Sequence, residues 1–401
     1  MLTISIQIVE AIKYIFEQIL VEKNTSDKVF EQFYRKNHLT ERDKSIITSE
    51  VYSLLRNWRY LHEIHNALAI IRKDDFYILY EIHCIITGVV IPPSQKFTNI
   101  NRNKVQQIVT SFKGNVAIEH SIPDWLNEHC LNELGDIWPS MSKYLIVDAP
   151  LVIRVNSEKI TREKLQLQFK EKGFHSLPHK TAINALVLKQ KINIFKLPEF
   201  KEGCFEVQDI SSQMVSHFLN PQPGWRIIDG CAGNGGKTLH LANLMHNRGK
   251  IISLDIYQFK LDTLKKRARR AGSSIIETRL VDSTKVIKRL YGTADAVLLD
   301  VPCTGLGVLK RNPEIKWRLK PADLENLLKT QADLLTRYSM MVKPGGKLVY
   351  STCSILPSEN SLQIQNFIAK TSGEFEFVSD QFLSPENGFD GFYMAEMKRK
   401  S

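Results

Sequence analysis

The feature that most constrains this chain is the stretch Ala294–Ser354, in which two short apolar runs each lead into a polar loop with a cysteine. The runs, Ala296–Leu299 and Lys347–Tyr350, are short and rich in β-forming residues, as buried parallel strands are. The segment between them is long enough for the helix of a β-α-β unit. Parallel strands end at one edge of a sheet, where open α/β folds bind ligands. We therefore expect Cys303 and Cys353 to face one site.

The part of the chain from residue 204 onward alternates between strand and helix patterns. The candidate strands are Arg226–Cys231, Lys250–Asp255, Ile275–Val281, Ala294–Asp300, Lys347–Ser351 and Gly391–Met397, and the helices lie at about 237–247, 257–271, 322–341 and 358–370. This alternation predicts a doubly wound α/β domain over residues 204–401.

The chain of 401 residues is longer than one core usually supports, so two or three domains are expected. Residues 1–130 are predicted to be mostly helical, because a capping box at Thr40–Asp43 precedes apolar residues at helical spacing. The polar stretch 93–113 is predicted to be a loop or an exposed connector. Arg56 and Arg59 border the apolar stripe, and they either contact RNA phosphates or are solvated helix charges.

A small α+β module is predicted over residues 131–203, where the hydrophobic period changes. The strands would be Leu151–Val155 and Ala185–Lys189, with a helix at Thr161–Lys172 between them. Its aromatic content is low, and no base-stacking signature of an RNA-binding sheet is present. An RNA-binding module and a structural spacer therefore both remain open.

The charge of the chain is +11, which favours a polyanionic partner, although a solvated basic surface would give the same value. The amino-terminal segment has no basic region before its apolar residues and is interrupted by Glu10, Lys13 and Glu17, so it is predicted to be an amphipathic helix and not a membrane span. None of the six cysteines forms a CxxC pair, so no metal is predicted. We expect a cytoplasmic, reduced protein that is monomeric.

A glycine-rich loop, Gly230–Thr238, follows the first predicted strand of the α/β domain and precedes a helix. Such loops allow a ligand to approach the backbone closely. A Walker A loop would need glycine where Cys231 stands. A dinucleotide site and an S-adenosylmethionine site both fit, since Asp255 ends the next strand and can hold ribose hydroxyls. Asp282 and Asp300 also stand at strand ends, although each could be a simple turn residue.

Two loop cysteines and an aspartate suit methyl transfer to a cytosine. C5 of cytosine is a poor nucleophile, and addition of a thiolate at C6 makes it reactive. Basic neighbours (Lys310, Arg311 and Lys316) would favour ionisation of the thiol, and Asp300 is placed to act as the acid at N3. The residues alone do not order the two cysteines, and Cys303 beside Asp300 would be the first choice for the nucleophile.

The motifs GCAGNGGKT, DVPCTGLGVLKRNPEIKW and YSTCSILPSEN resemble those of the Sun-type RNA cytosine-5 methyltransferases. VQDISSQ and FDGFYMAEMK extend this similarity over residues 200–401. More faintly, Thr40–Arg59 resembles the antitermination-factor-like domain of a ribosomal-RNA-modifying member of the family, and SIPDWL and LVIRVN resemble its linker and middle module. The resemblance implies a Rossmann-like S-adenosylmethionine-dependent domain with a mixed seven-stranded sheet, preceded by a helical RNA-binding domain and the small module.

The resemblance also implies the roles of individual residues. Cys353 would be the nucleophile and Cys303 would assist product release. Asp255 would hold the ribose, Asp282 the adenine side, and Asp300 would lie between cofactor and base. The methionine end of the cofactor would be lined by Cys231, Ala232, Gly233, Asn234, Gly235, Gly236 and Lys237. Departures from the family pattern are Asn234 in place of proline, and Thr304 and Leu306 in place of serine and threonine.

The resemblance further implies RNA as the partner, ribosomal RNA first and transfer RNA as the alternative. We expect residues 200–401 alone to bind S-adenosylmethionine. Two other classes of protein stay open from the sequence. One is an RNA-binding factor with an inactive methyltransferase domain, which the presence of Asp300, Cys303 and Cys353 disfavours. The other is a P-loop ATPase, disfavoured by Cys231.

Overall fold

The computed structural model describes residues 4–70, 75–90, 93–190 and 192–401. Its contacts divide the chain into two compact units. One unit comprises Met1–Asp148 together with Leu309–Lys320, and the other comprises Ala149–Val308 together with Pro321–Ser401. The predicted division at residues 130 and 203 remains a prediction.

The first unit is helical. Its helices are α1 (Ile6–Leu20), α2 (Ser26–Lys36), α3 (Glu41–Leu68), α4 (Asp75–Thr87), α5 (Arg102–Ser111), α6 (Val116–Glu119), α7 (Asp124–Leu134) and α8 (Ile137–Leu145), and α15 (Ile315–Arg318) joins them from the later segment. The cap predicted for α3 is present, since the Thr40 hydroxyl accepts a hydrogen bond from the Asp43 N–H at 3.1 Å. Among the described residues, no helix is long and apolar enough to cross a membrane.

Two predictions for this unit differ from the structure. Helix α5 forms inside the stretch predicted as a loop or connector, and Asn101 caps its first turn. Arg56 is buried and Arg59 is partly buried, and the side chain of each is held in an ion pair. Arg56 pairs with Asp148 at 2.5 Å, and Arg59 pairs with Asp124 at 2.7 Å. These two arginines fix the middle of α3 to later parts of the same unit.

The segment Leu309–Lys320 packs into the helical unit through polar anchors. Lys316 is 1% exposed, and its ammonium donates to the carbonyl oxygen of Arg56 at 2.7 Å. The Trp317 indole donates to the carbonyl oxygen of Leu55 at 2.6 Å. The expectation that Lys316 favours ionisation of a cysteine is therefore wrong, because its ammonium is directed at the Arg56 carbonyl and burial lowers the pKa of Lys316 well below its usual value.

The second unit begins with a four-stranded antiparallel sheet in the order β2-β3-β1-β4. Its strands are β1 (Leu151–Val155), β2 (Ser176–Pro178), β3 (Ala185–Leu188) and β4 (Phe205–Val207), accompanied by α9 (Arg162–Glu171) and α10 (Pro198–Lys201). The predicted strands and helix of the small module are present. Strand β4 lies beyond residue 203 yet pairs with β1, so the sheet of the module extends into the segment predicted to begin the catalytic domain.

A seven-stranded sheet forms the rest of the unit, in the order β10-β11-β9-β8-β5-β6-β7. Its elements are α11 (Ile210–Leu219), β5 (Arg226–Asp229), α12 (Gly236–Leu244), β6 (Lys250–Asp255), α13 (Gln258–Ala271), β7 (Ile276–Leu280), α14 (Thr284–Lys288), β8 (Ala294–Asp300), α16 (Pro321–Ser339), β9 (Val342–Thr352), α17 (Ser361–Lys370), β10 (Phe375–Leu383) and β11 (Phe392–Arg399). Strands β5 to β9 are parallel, and β11 is antiparallel to both β9 and β10. The predicted Rossmann-like fold with a mixed seven-stranded sheet is confirmed.

The neighbouring strands β8 and β9 position the cysteine loops. They are parallel, and Asp300 stands opposite Ser351 at their carboxyl ends. Their inward residues are apolar and almost fully buried, so the strand ends are held by the core of the domain. Strand β9 begins at Val342, earlier than predicted, and β10 was not predicted at all.

Candidate active site and cofactor loop

The two cysteines after β8 and β9 lie in contact. The Sγ atoms of Cys303 and Cys353 are 3.2 Å apart, and both residues are partly buried. The hydrogen bond to Cys353 and burial raise the pKa of the Cys303 thiol. Cys303 therefore keeps its proton, and its S–H donates towards the sulfur of Cys353. The two sulfurs are therefore close enough for a proton to pass between them.

An ion pair lies at the end of the same strands. The Lys237 ammonium is 2.5 Å from Oδ2 of Asp300, whose Oδ1 accepts from the Ser351 hydroxyl at 2.9 Å. Burial acts to lower the pKa of Lys237, but the charge of Asp300, the hydrogen bond to it and the nearby charge of Asp209 together raise that pKa. Lys237 therefore remains an ammonium at neutral pH. It forms an ion pair with Asp300, the aspartate that the sequence analysis identified.

The glycine loop between β5 and α12 has a shape that requires glycine. Gly235 has φ of 84°, and a Cβ there would lie 2.0 Å from a methyl carbon of Leu264. Gly233 has φ of 53°, and a Cβ there would meet no atom within 4 Å, so this side of the loop is open. The loop therefore packs on one face and offers its other face to a ligand.

Asp255 closes the loop from the end of β6. Its Oδ2 accepts from the Gly233 N–H at 2.9 Å, and its Oδ1 accepts from the Tyr257 N–H at 2.8 Å. Each oxygen retains a lone pair for a ribose hydroxyl. Asp282 is exposed after β7. The open side of Gly233 and the lone pairs of Asp255 suit the nucleoside part of S-adenosylmethionine.

The back of the cofactor loop is held by two arginines that sequence reasoning missed. Arg154 of β1 donates to the carbonyl oxygen of Gly236 at 2.7 Å, and Arg267 of α13 donates to that of Asn234 at 2.7 Å. The buried carboxylate of Glu206, opposite Arg154 in the strand pair, binds Arg267 at 3.0 Å. The sequence feature that could have identified Arg154 is its position as a charged residue within the otherwise apolar strand LVIRV. The small module thus contacts the loop directly.

Arg154→Met should weaken cofactor binding about tenfold. The change removes a buried donor from the Gly236 carbonyl, at a cost of about 1–3 kcal/mol, and about 1.4 kcal/mol corresponds to a factor of ten. Calorimetry with S-adenosylmethionine measures the effect, with the more exposed Arg162→Met of the same module as the control. Equal affinities of the two variants for S-adenosylmethionine would show that Arg154 does not support the cofactor loop. A fragment that starts at residue 200 lacks Arg154, and cofactor binding by residues 200–401 alone stays a prediction.

A buried carboxylate under the loop predicts a pH effect on stability. Burial raises the pKa of Asp229 to about 6, although the Thr238 hydroxyl donates to it at 2.6 Å. Between pH 4 and 6 the folded protein keeps this proton while the unfolded chain loses it, so stability falls as pH rises, by about 3 kcal/mol in all.

Asp229→Asn should remove that slope, since the amide does not titrate. Denaturant unfolding at pH 4 and at pH 7 is the measurement, with the exposed Asp282→Asn as the control. The free energy of unfolding of the Asp229→Asn variant minus that of the unsubstituted chain should be about 2 kcal/mol larger at pH 7 than at pH 4, because only the unsubstituted chain loses stability as the pH rises. Parallel pH curves for the two proteins would exclude this role of Asp229.

The sheet, the glycine loop after its first strand and the acid after its second strand together define an S-adenosylmethionine-dependent methyltransferase. The model of the family "16S rRNA methyltransferase RsmB/F" matches residues 216–398, and that of the ferredoxin-like domain of the same proteins matches residues 122–195. The chain belongs to the RsmB/F family of methyltransferases.

Relatives and a solved structure support this assignment. The probable ribosomal RNA small subunit methyltransferase B of Synechocystis sp. is 35% identical over 73% of this chain and 70% of its own length. The Vibrio cholerae ribosomal RNA small subunit methyltransferase B is 32% identical over 69% of this chain and 65% of its own length. The crystal structure of PH0851 matches 97% of this chain and 98% of its own with a TM-score of 0.80 at 25% identity.

Proposed function

We propose that this chain methylates C5 of a cytosine in RNA and that its substrate is 16S ribosomal RNA. The observation that carries the proposal is the contact of 3.2 Å between the sulfurs of Cys303 and Cys353. A thiol next to a second thiol, at the same strand ends as an ammonium–carboxylate pair, suits addition to a pyrimidine ring and later elimination. The names of the relatives support ribosomal RNA as the substrate, and the charge of +11 agrees with a polyanion.

The proposed reaction begins at Cys353. Its thiolate adds to C6 of the cytosine, and the Lys237–Asp300 pair gives a proton to N3. S-adenosylmethionine, when bound, supplies the methyl group that C5 takes up. The Cys303 sulfur then takes the proton from C5 while its own proton passes across the 3.2 Å contact to the departing Cys353 sulfur. The electron pair of the broken C5–H bond restores the C5–C6 double bond, and N3 returns its proton to the Lys237–Asp300 pair. In this way Cys303 assists the release of Cys353.

The residues assigned to the cofactor follow the same proposal. Asp255 holds the ribose hydroxyls, Asp282 lies towards the adenine, and the loop from Cys231 to Gly236 lines the methionine end. Lys237 differs from the rest of that loop, because its ammonium is bound to Asp300. We therefore assign Lys237 to the base and not to the cofactor.

Methylation of purified RNA tests the proposal. The full chain, labelled S-adenosylmethionine and either 16S ribosomal RNA or transfer RNA should give labelled 5-methylcytosine in the ribosomal RNA only. Bisulfite sequencing of RNA from a strain that lacks the gene should show the loss of one 16S position. Label in transfer RNA alone would favour the alternative substrate. Cofactor binding without label in either RNA would favour a non-catalytic RNA-binding factor.

A further inference from the structure

A buried carboxylate outside the cysteine loops receives hydrogen bonds from both of them. Glu359 is 0% exposed and lies on a short 3-10 turn, Pro357–Glu359, before α17. Its Oε1 accepts from the Thr304 N–H at 2.8 Å, and its Oε2 accepts from the Thr304 hydroxyl at 2.5 Å. The hydroxyl of Ser354 also donates to Oε2. Thr304 and Ser354 directly follow the two cysteines.

The carboxylate is held firmly from several directions. Gln331 of α16 donates to Oε1 at 2.9 Å, so four donors from three segments converge on one side chain. The Tyr350 hydroxyl fixes the carbonyl oxygen of Glu359 at 2.6 Å. A buried carboxylate is tolerated only when such donors satisfy it. The side chain of Glu359 is therefore held in one position, and both cysteine loops are hydrogen-bonded to it.

Other contacts join the loops to each other and to the same turn. The Gly307 N–H donates to the carbonyl oxygen of Cys353 at 2.9 Å. Asn360, the residue after Glu359, donates to the carbonyl oxygen of Ser354 at 3.0 Å. These bonds fix the backbone on both sides of the sulfur contact, so the distance between the two Sγ atoms is set by the turn.

The negative charge of Glu359 acts on the thiol of Cys303. Besides the hydrogen bond to Cys353 and burial, the charge of Glu359 contributes to the raised pKa of Cys303. A carboxylate on this side opposes a second negative charge on Cys303. With Cys303 kept as a donor, its S–H faces the sulfur of Cys353. Glu359 therefore disfavours Cys303 as the ionised, attacking thiol.

We propose that Glu359 is a positioning residue that ties both cysteine loops to one carboxylate and makes Cys353, not Cys303, the attacking sulfur. The inference rests on the proposed function and adds the element that selects the nucleophile. Glu359 itself touches no reacting atom. Its effect passes through Thr304 and Ser354 and through the charge near Cys303.

Thiol labelling of the full chain tests this selection without any RNA. Iodoacetamide followed by peptide mass spectrometry gives separate rates for the two cysteines. In the unsubstituted chain, Cys353 should react well before Cys303. Glu359→Gln removes the charge and turns an amide N–H towards a donor, so the ratio of the two rates should fall about tenfold, the effect of one pKa unit. Exposed Glu325→Gln on α16 is the matched charge control.

The outcomes separate this role from a merely structural one and from failure of the proposed function. A merely structural role would lower stability but leave the ratio of the two labelling rates unchanged. An unchanged ratio in a folded Glu359→Gln protein that binds S-adenosylmethionine normally would therefore overturn the proposal. If Glu359→Gln does not fold, Ser354→Ala removes one donor only, and an unchanged ratio there would overturn it equally. If the ratio falls but no RNA is methylated by the unsubstituted chain, the proposed function fails while the selection by Glu359 stands.

Discussion

Cys353→Ala should form no covalent adduct with RNA and transfer no methyl group, whereas Cys303→Ala should accumulate an adduct that survives denaturation. The reason is that the two sulfurs lie 3.2 Å apart, and that burial and the hydrogen bond to Cys353 raise the pKa of the Cys303 thiol and so disfavour it as the attacking sulfur. Without Cys353, no sulfur attacks C6, and the uncatalysed addition is slower by at least about 10³-fold. Without Cys303, attack and methylation proceed, but elimination stalls.

The measurement is a denaturing gel of each purified variant with 16S ribosomal RNA and labelled S-adenosylmethionine. Cys204→Ala, a buried cysteine of the small module, is the control and should behave as the unsubstituted chain. In cells, Cys303→Ala should be more toxic than Cys353→Ala because it sequesters its RNA. A stable labelled adduct with Cys353→Ala alone would reverse the roles, and methylation without adducts in both variants would exclude thiol catalysis.

The contact of the two cysteines was predictable because it depends on a general property of sheets. Two short apolar runs joined by a helix become neighbouring parallel strands, and their ends meet at one edge. Strands β8 and β9 are such neighbours. The loop between β5 and α12 was predictable for a similar reason, since its glycines are required locally.

The parts that were not predictable depend on contacts between segments that are distant in sequence. The basic residue Lys316 follows the Cys303 loop, yet its segment packs in the helical unit, where the Arg56 carbonyl of α3 accepts a hydrogen bond from its Nζ. Arg56 looks like a surface residue by helical spacing but pairs with Asp148. Local periodicity records which face of a helix is apolar, and it does not record which later segment covers that face.

The same limit applies to the buried polar residues of the site. Glu359 follows the TCS motif by only a few positions, but its four donors come from three segments, and only one of those segments is near in sequence. Arg154 contacts the cofactor loop from a strand more than one element away. A charged residue within an apolar run signals a buried partner, but the sequence does not name that partner.

Lys237→Met should abolish most turnover while leaving cofactor binding nearly unchanged. Methionine keeps the length of the side chain and removes the ammonium that lies 2.5 Å from Asp300. The proton for N3 is then missing when Cys353 attacks C6. Loss of a general acid costs about 10²- to 10⁴-fold in rate, so adduct formation should fall within that range.

Two measurements on the same variant decide between the roles open to Lys237. Single-turnover adduct formation reports the proton transfer, and calorimetry with S-adenosylmethionine reports cofactor binding, with exposed Lys265→Met as the control. Because the raised pKa of Lys237 keeps it charged near neutral pH, adduct formation by the unsubstituted chain should not decline between pH 7 and 9 through loss of this proton. If the dissociation constant for the cofactor rises as much as the adduct rate falls, Lys237 binds the methionine end instead, and the proton for N3 must come from Asp300 alone.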